Sequence, residues 1–196
     1  MTDDSMAARD MAGLQLLDAT YRRWANSPPV RMNLDRRDAW TVLIVLQSVM
    51  GHPALDATPT GAAVEAWARQ LQEAICDNAE IYAAADRGWR RGASGGPPEA
   101  ADAEPDPADV RLMTDAYTRW SRMPQVSATA DRRHVWTVLT ALQLAVTHPG
   151  VGETPMGPVV EAVGRAIQEN LCDDPELYAL AAAGWDRAAD VETGSL

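Results

Sequence analysis

Residues 35–43 read Asp35-Arg36-Arg37-Asp38-Ala39-Trp40-Thr41-Val42-Leu43, and residues 131–139 read Asp131-Arg132-Arg133-His134-Val135-Trp136-Thr137-Val138-Leu139. The two stretches match at an offset of 96 positions. Working outward, the same offset pairs Tyr21 and Trp24 with Tyr117 and Trp120, and His52-Pro53 with His148-Pro149. It also pairs Cys76-Asp77 with Cys172-Asp173, and Gly88-Trp89 with Gly184-Trp185. No gap is needed, and about 35 of roughly 78 matched positions are identical. The sequence therefore reads as a tandem duplication, with one unit over 1–91 and a second over 110–196. Residues 92–109 between them are rich in Gly, Pro and acid and lack a large apolar cluster, as a flexible linker does.

Within each unit the apolar period is helical. Leu14, Leu17, Tyr21 and Trp24 recur every three or four residues, and Asn26-Ser27-Pro28-Pro29 ends that run. From Asp35 to Met50 the chain is apolar almost all round, which predicts a central buried helix stopped by Gly51 and Pro53. A third helix opens at Thr60-Gly61 and carries Val64, Trp67, Leu71 and Ile75 on one stripe. Asp77 and Glu80 have capping-box spacing for a short fourth helix through Tyr82 to Trp89. No alternating run or hairpin dipeptide is apparent, so no strand is expected. The expected fold is all-α: two four-helix units packed as a pseudo-twofold dimer. A unit of about 80 residues is small for independent stability, which favours such packing or a further homo-oligomer.

Of 196 residues, 46% are apolar and 23% charged, as in globular proteins. The net charge is -11, with 17 bases that are all arginine. A strongly acidic chain repels phosphate, which disfavours nucleic acid and anionic membrane as partners. Much of that charge lies in the linker, at Glu99, Asp102, Glu104 and Asp106, so a nucleic-acid mimic is also disfavoured. Two cysteines without a CxxC companion predict free thiols, and with no leader-like start to the sequence they predict a cytoplasmic location.

His52 and His148, with Glu65 and Glu161, form the only arrangement resembling a metal site. Each histidine follows a helix stop, where a terminus-capping role is the simpler reading. Neither a metal nor a cofactor is expected. Glu65-Arg69-Glu73 and Glu161-Arg165-Glu169 have the spacing of surface ion-pair ladders. Gln47 and Gln143, inside an apolar helix, should bond between helices. The tryptophans fall on the apolar stripes and are expected in the core, and Trp67, matched to Val163, could serve only one unit.

Arg36, Arg37, Arg132 and Arg133 are the strongest basic feature, placed to bind a protein partner or an anion from one composite face. The competing reading is an intramolecular salt-bridge cluster. No phosphate loop, catalytic triad or metal motif is legible. A non-enzymatic protein-interaction or regulatory role is therefore expected. The alternatives are a small-ligand-binding bundle and, after it, a helical enzyme with a metal or acid-base site.

Overall fold

The computed structural model describes residues 3–50, 58–93 and 107–193. His52 and residues 94–106 of the expected linker lie outside them. The first helix, α1, spans Asp3–Trp24, and β1 follows over Val30–Asp35. Next come α2 (Arg36–Met50), α3 (Pro59–Ile75) and α4 (Ala79–Ala93). The second half repeats the order with one short helix added to the expected four, α7: it runs α5 (Pro107–Trp120), β2 (Gln125–Ala130), α6 (Arg132–Val146), α7 (Pro149–Gly152), α8 (Met156–Leu171) and α9 (Pro175–Thr193). The protein is mostly helical. No helix among the described residues is long and apolar enough to cross a membrane.

Two strands correct the expectation of a strand-free chain. Val30-Arg31-Met32-Asn33-Leu34-Asp35 alternates apolar and polar residues, and Val30, Met32 and Leu34 are buried while Arg31 and Asn33 face water. Val126, Ala128 and Ala130 are the buried set of β2. Each run is only six residues long and leads directly into a long helix, so the period of two is easily overlooked beside the helical one. Neither run could form a ladder with its own neighbours. The strands pair antiparallel with each other across the molecule, with Met32 opposite Ala128, Arg31 opposite Thr129 and Asn33 opposite Ser127.

This register is isologous: Met32 faces its own counterpart at the offset of 96, and positions on either side exchange partners reciprocally. The helices repeat the exchange. α3 packs on α2 and crosses to α6, while α8 packs on α6 and crosses to α2. The first helices also cross: α1 lies on α6 and α9, and α5 lies on α4 and α2. Trp24 sits 6.2 Å from Trp136, and Trp120 sits 5.8 Å from Trp40, between ring centroids. One continuous apolar core results, running through both halves.

The buried glutamines bond between helices as their positions imply. Gln47 Nε2 donates to Ala85 O at 2.9 Å, and Gln143 Nε2 donates to Ala181 O at 2.7 Å. Gln72 and Gln168 accept from the indoles of Trp89 and Trp185, at 2.6 and 2.9 Å. α4 and α9, over Ala79–Ala93 and Pro175–Thr193, are longer than the expected run from Tyr82 to Trp89.

Candidate functional site

Arg36 is the first residue of α2, delivered there by the end of β1. Its Nη1 donates to Ile75 O, the last carbonyl of α3, at 3.2 Å. Arg132 does the same at the start of α6, donating to Leu171 O at 3.2 Å, and its Nη1 lies 4.0 Å from Asp173. A helix leaves its final carbonyls without intrahelical donors. Each arginine supplies one. The Nε atoms of both arginines are buried and lack a partner among the described residues.

Arg37 and Arg133 act differently. Arg37 is exposed, and its Nη2 donates to Tyr117 O at 2.9 Å with the guanidinium 5.6 Å from that ring's centroid. This contact ties α2 to α5 of the other half. Arg133 instead folds back on Asp131, with Nε and Nη2 meeting the two carboxylate oxygens at 3.0 and 2.8 Å. That clamp, with the Arg133 backbone N–H, holds the Asp131 carboxyl down at about 2.

The structure keeps the two arginine pairs apart. Asp35 lies opposite Gln125 at one end of the ribbon, and Asp131 follows Ala130 at the other, so the starts of α2 and α6 are separated by about 20 Å of strand length. The single composite face expected from the sequence is replaced by two separate clusters.

Each cluster contains groups that sequence reasoning did not single out. Arg119 Nε and Nη2 reach the two oxygens of Asp77 at 3.1 and 3.2 Å, and the ion pair lowers the Asp77 carboxyl. The counterpart, Arg23, reaches Asp173 at 2.8 Å and Asp174 at 3.0 Å. Hydrogen bonding from the Leu177 backbone and from Arg23 lowers Asp174. These pairs join α5 to the α3–α4 turn and α1 to the α8–α9 turn, each time across the halves. Arg23 and Arg119 are matched at the offset, and a scan of matched charges outside the main motif would have found them.

Several sequence expectations can now be located. His148 Nδ1 accepts from Gly150 N at 3.1 Å, so the imidazole caps the N-terminus of α7. It does not bond a carbonyl of the helix before it, because Pro149 turns the chain at once into a new helical turn. Arg165 pairs with Glu161 at 2.8 Å. Arg69 lies 3.5 Å from Glu65, reaches Asp86 at 2.9 Å and lies 4.5 Å from the Trp89 ring centroid. Burial pushes the thiols of Cys76 and Cys172 up to about 12. Trp67 is buried, with its indole N–H unpartnered among the described residues. No group of three His, Cys, Asp or Glu among those residues is arranged to hold a metal ion.

Large apolar side chains remain on the surface. Leu14 on α1 and its counterpart Val110 on α5 are 62% and 48% exposed. Tyr82 on α4 and its counterpart Tyr178 on α9 are 38% and 43% exposed. Comparison of the chain with family models, with curated proteins and with solved structures found no match.

Proposed function

We propose that the chain is a tandem duplication, with units over 1–91 and 110–196 and a linker over 92–109, folded as a pseudo-homodimer. In this reading it is a non-enzymatic interaction or regulatory module that binds another protein through two like surfaces. The observation that carries the reading is the presence of exposed apolar side chains at matched positions, Leu14 with Val110 and Tyr82 with Tyr178. Large apolar groups gain free energy on leaving water, and tyrosine is enriched where interfaces are strongest. Two equivalent patches on one molecule favour a partner that also offers two sites, since linked binding gains avidity.

The duplication is supported by the gap-free sequence offset and by the isologous exchange of strands, tryptophans and ion pairs. In this reading the arginines enter as two separate carboxylate contacts, through the guanidinium atoms of Arg37 and Arg133 that Tyr117 O and Asp131 do not engage, while Arg36 and Arg132 hold the helix ends behind them. The two thiols are free, and the reading places the protein in the cytoplasm, where they stay reduced.

The test uses the partner captured by the wild-type chain and measures its binding by titration calorimetry. Tyr82→Ala or Tyr178→Ala should each weaken binding about tenfold, and the double variant should abolish it. Undiminished binding by a correctly folded double variant overturns the reading.

A further inference from the structure

The helix residues that join the two halves are largely matched, yet the ribbon at the seam is not: residues 31–34 all differ from their counterparts 127–130. Tyr21, Arg23, Trp24, Arg37, Trp40 and Asp77 each have an identical counterpart in the second half. Taken alone, these residues would let a first half pair with another first half as well as with a second. At the ribbon's centre, however, Met32 lies opposite Ala128. Both are buried, so their volumes must fill one space together. Beside them on the outer face, Arg31 Nη2 donates to Ser127 Oγ at 3.3 Å, and Ser127 Oγ donates to Asn33 Oδ1 at 2.7 Å. Ser127 is the counterpart of Arg31 at the offset of 96.

From this asymmetry we infer that Arg31 and Met32 make the seam selective. The first strand accepts a strand with small side chains at positions 127 and 128, as the second half of the chain supplies. It rejects the first half of a second copy. In a first-to-first pairing two methionines would crowd the space that holds Met32 and Ala128, and overpacked cores are strained. The same pairing would bring two arginines together as diagonal neighbours, where like charges destabilise. In a second-to-second pairing two alanines would leave a cavity. The large-with-small combination is the one that fits.

This inference rests on the pseudo-homodimer reading, and the intact chain can test both. Ser127→Arg with Ala128→Met places first-half residues on both strands and so mimics a first-to-first seam. Arg31→Ser with Met32→Ala mimics a second-to-second seam. The quadruple variant carrying all four changes restores the large-with-small pair in the opposite sense. Thermal melting followed by circular dichroism should show each mimic about 4–8 °C below wild type, and the quadruple variant close to wild type. Mimics that melt with the wild type overturn the selectivity and leave the pseudo-homodimer reading standing. Destabilised mimics with no rescue in the quadruple variant overturn the equivalence of the two strand positions, and both readings with it.

Discussion

At the residue scale, buried amides and glycines are matched to one another. Gln47 reaches Ala85 O only because Gly88, one turn later on α4, lacks a side chain; a Cβ there would run into Gln47 Oε1. Gly184 stands in the same relation to Gln143. Gly88→Ala should therefore cost about 2–3 kcal/mol in denaturant unfolding, more than helix propensity would gain, because a buried amide is displaced from its acceptor. The carboxyl of Asp131 gives a pH signature. Its folded value, about 2, lies below the ordinary carboxylate value near 4, so its stabilising effect is present above that value. The effect is lost as pH falls from about 4 to 2. Asp131→Asn should flatten the acid limb of a stability–pH profile over that window. The sequence made the interhelical role of Gln47 and Gln143 legible. It did not make the glycines legible, since their reason is a side chain on another helix.

At the element scale, the arginines that looked most like a recognition surface also hold helix ends. Arg36 and Arg132 cover the last carbonyls of α3 and α8, each in its own half. Replacing both with alanine should lower stability by about 1–2 kcal/mol per site, read as a shift in the urea midpoint. Their place at the start of a buried helix was legible. Their acceptors were not, because those carbonyls lie 39 residues away. The strands teach a similar lesson. Their alternation is present in the sequence, but a six-residue strand has no hydrogen bonds until a second strand is supplied.

At the scale of the whole molecule, the first helix of each half lies on the other half, and one core serves both. Neither half can then lose its packing alone. Calorimetry should show a single unfolding transition with equal calorimetric and van't Hoff enthalpies, and two resolved transitions would contradict the shared core. The reciprocal ion pairs Arg119–Asp77 and Arg23–Asp173 contribute little to this cooperativity, since most of their groups are substantially exposed. Burial of Trp24, Trp40, Trp120 and Trp136 across the seam contributes more.

The amino-acid order alone determined where the main helices run, which tryptophans are buried and which positions of the two halves correspond. Those properties follow from periodicity and self-similarity, which a chain carries without reference to its folded shape. The tertiary structure decided the rest: the ribbon, the crossing of the first helices, the separation of the arginine pairs and the large-with-small fit at the ribbon's centre. Each of these depends on groups brought together across the seam or from distant points of the chain, and local pattern does not specify such partners. The side chains left exposed at matched positions, Leu14 with Val110 and Tyr82 with Tyr178, likewise became visible only when the shared core had taken its share of the apolar surface.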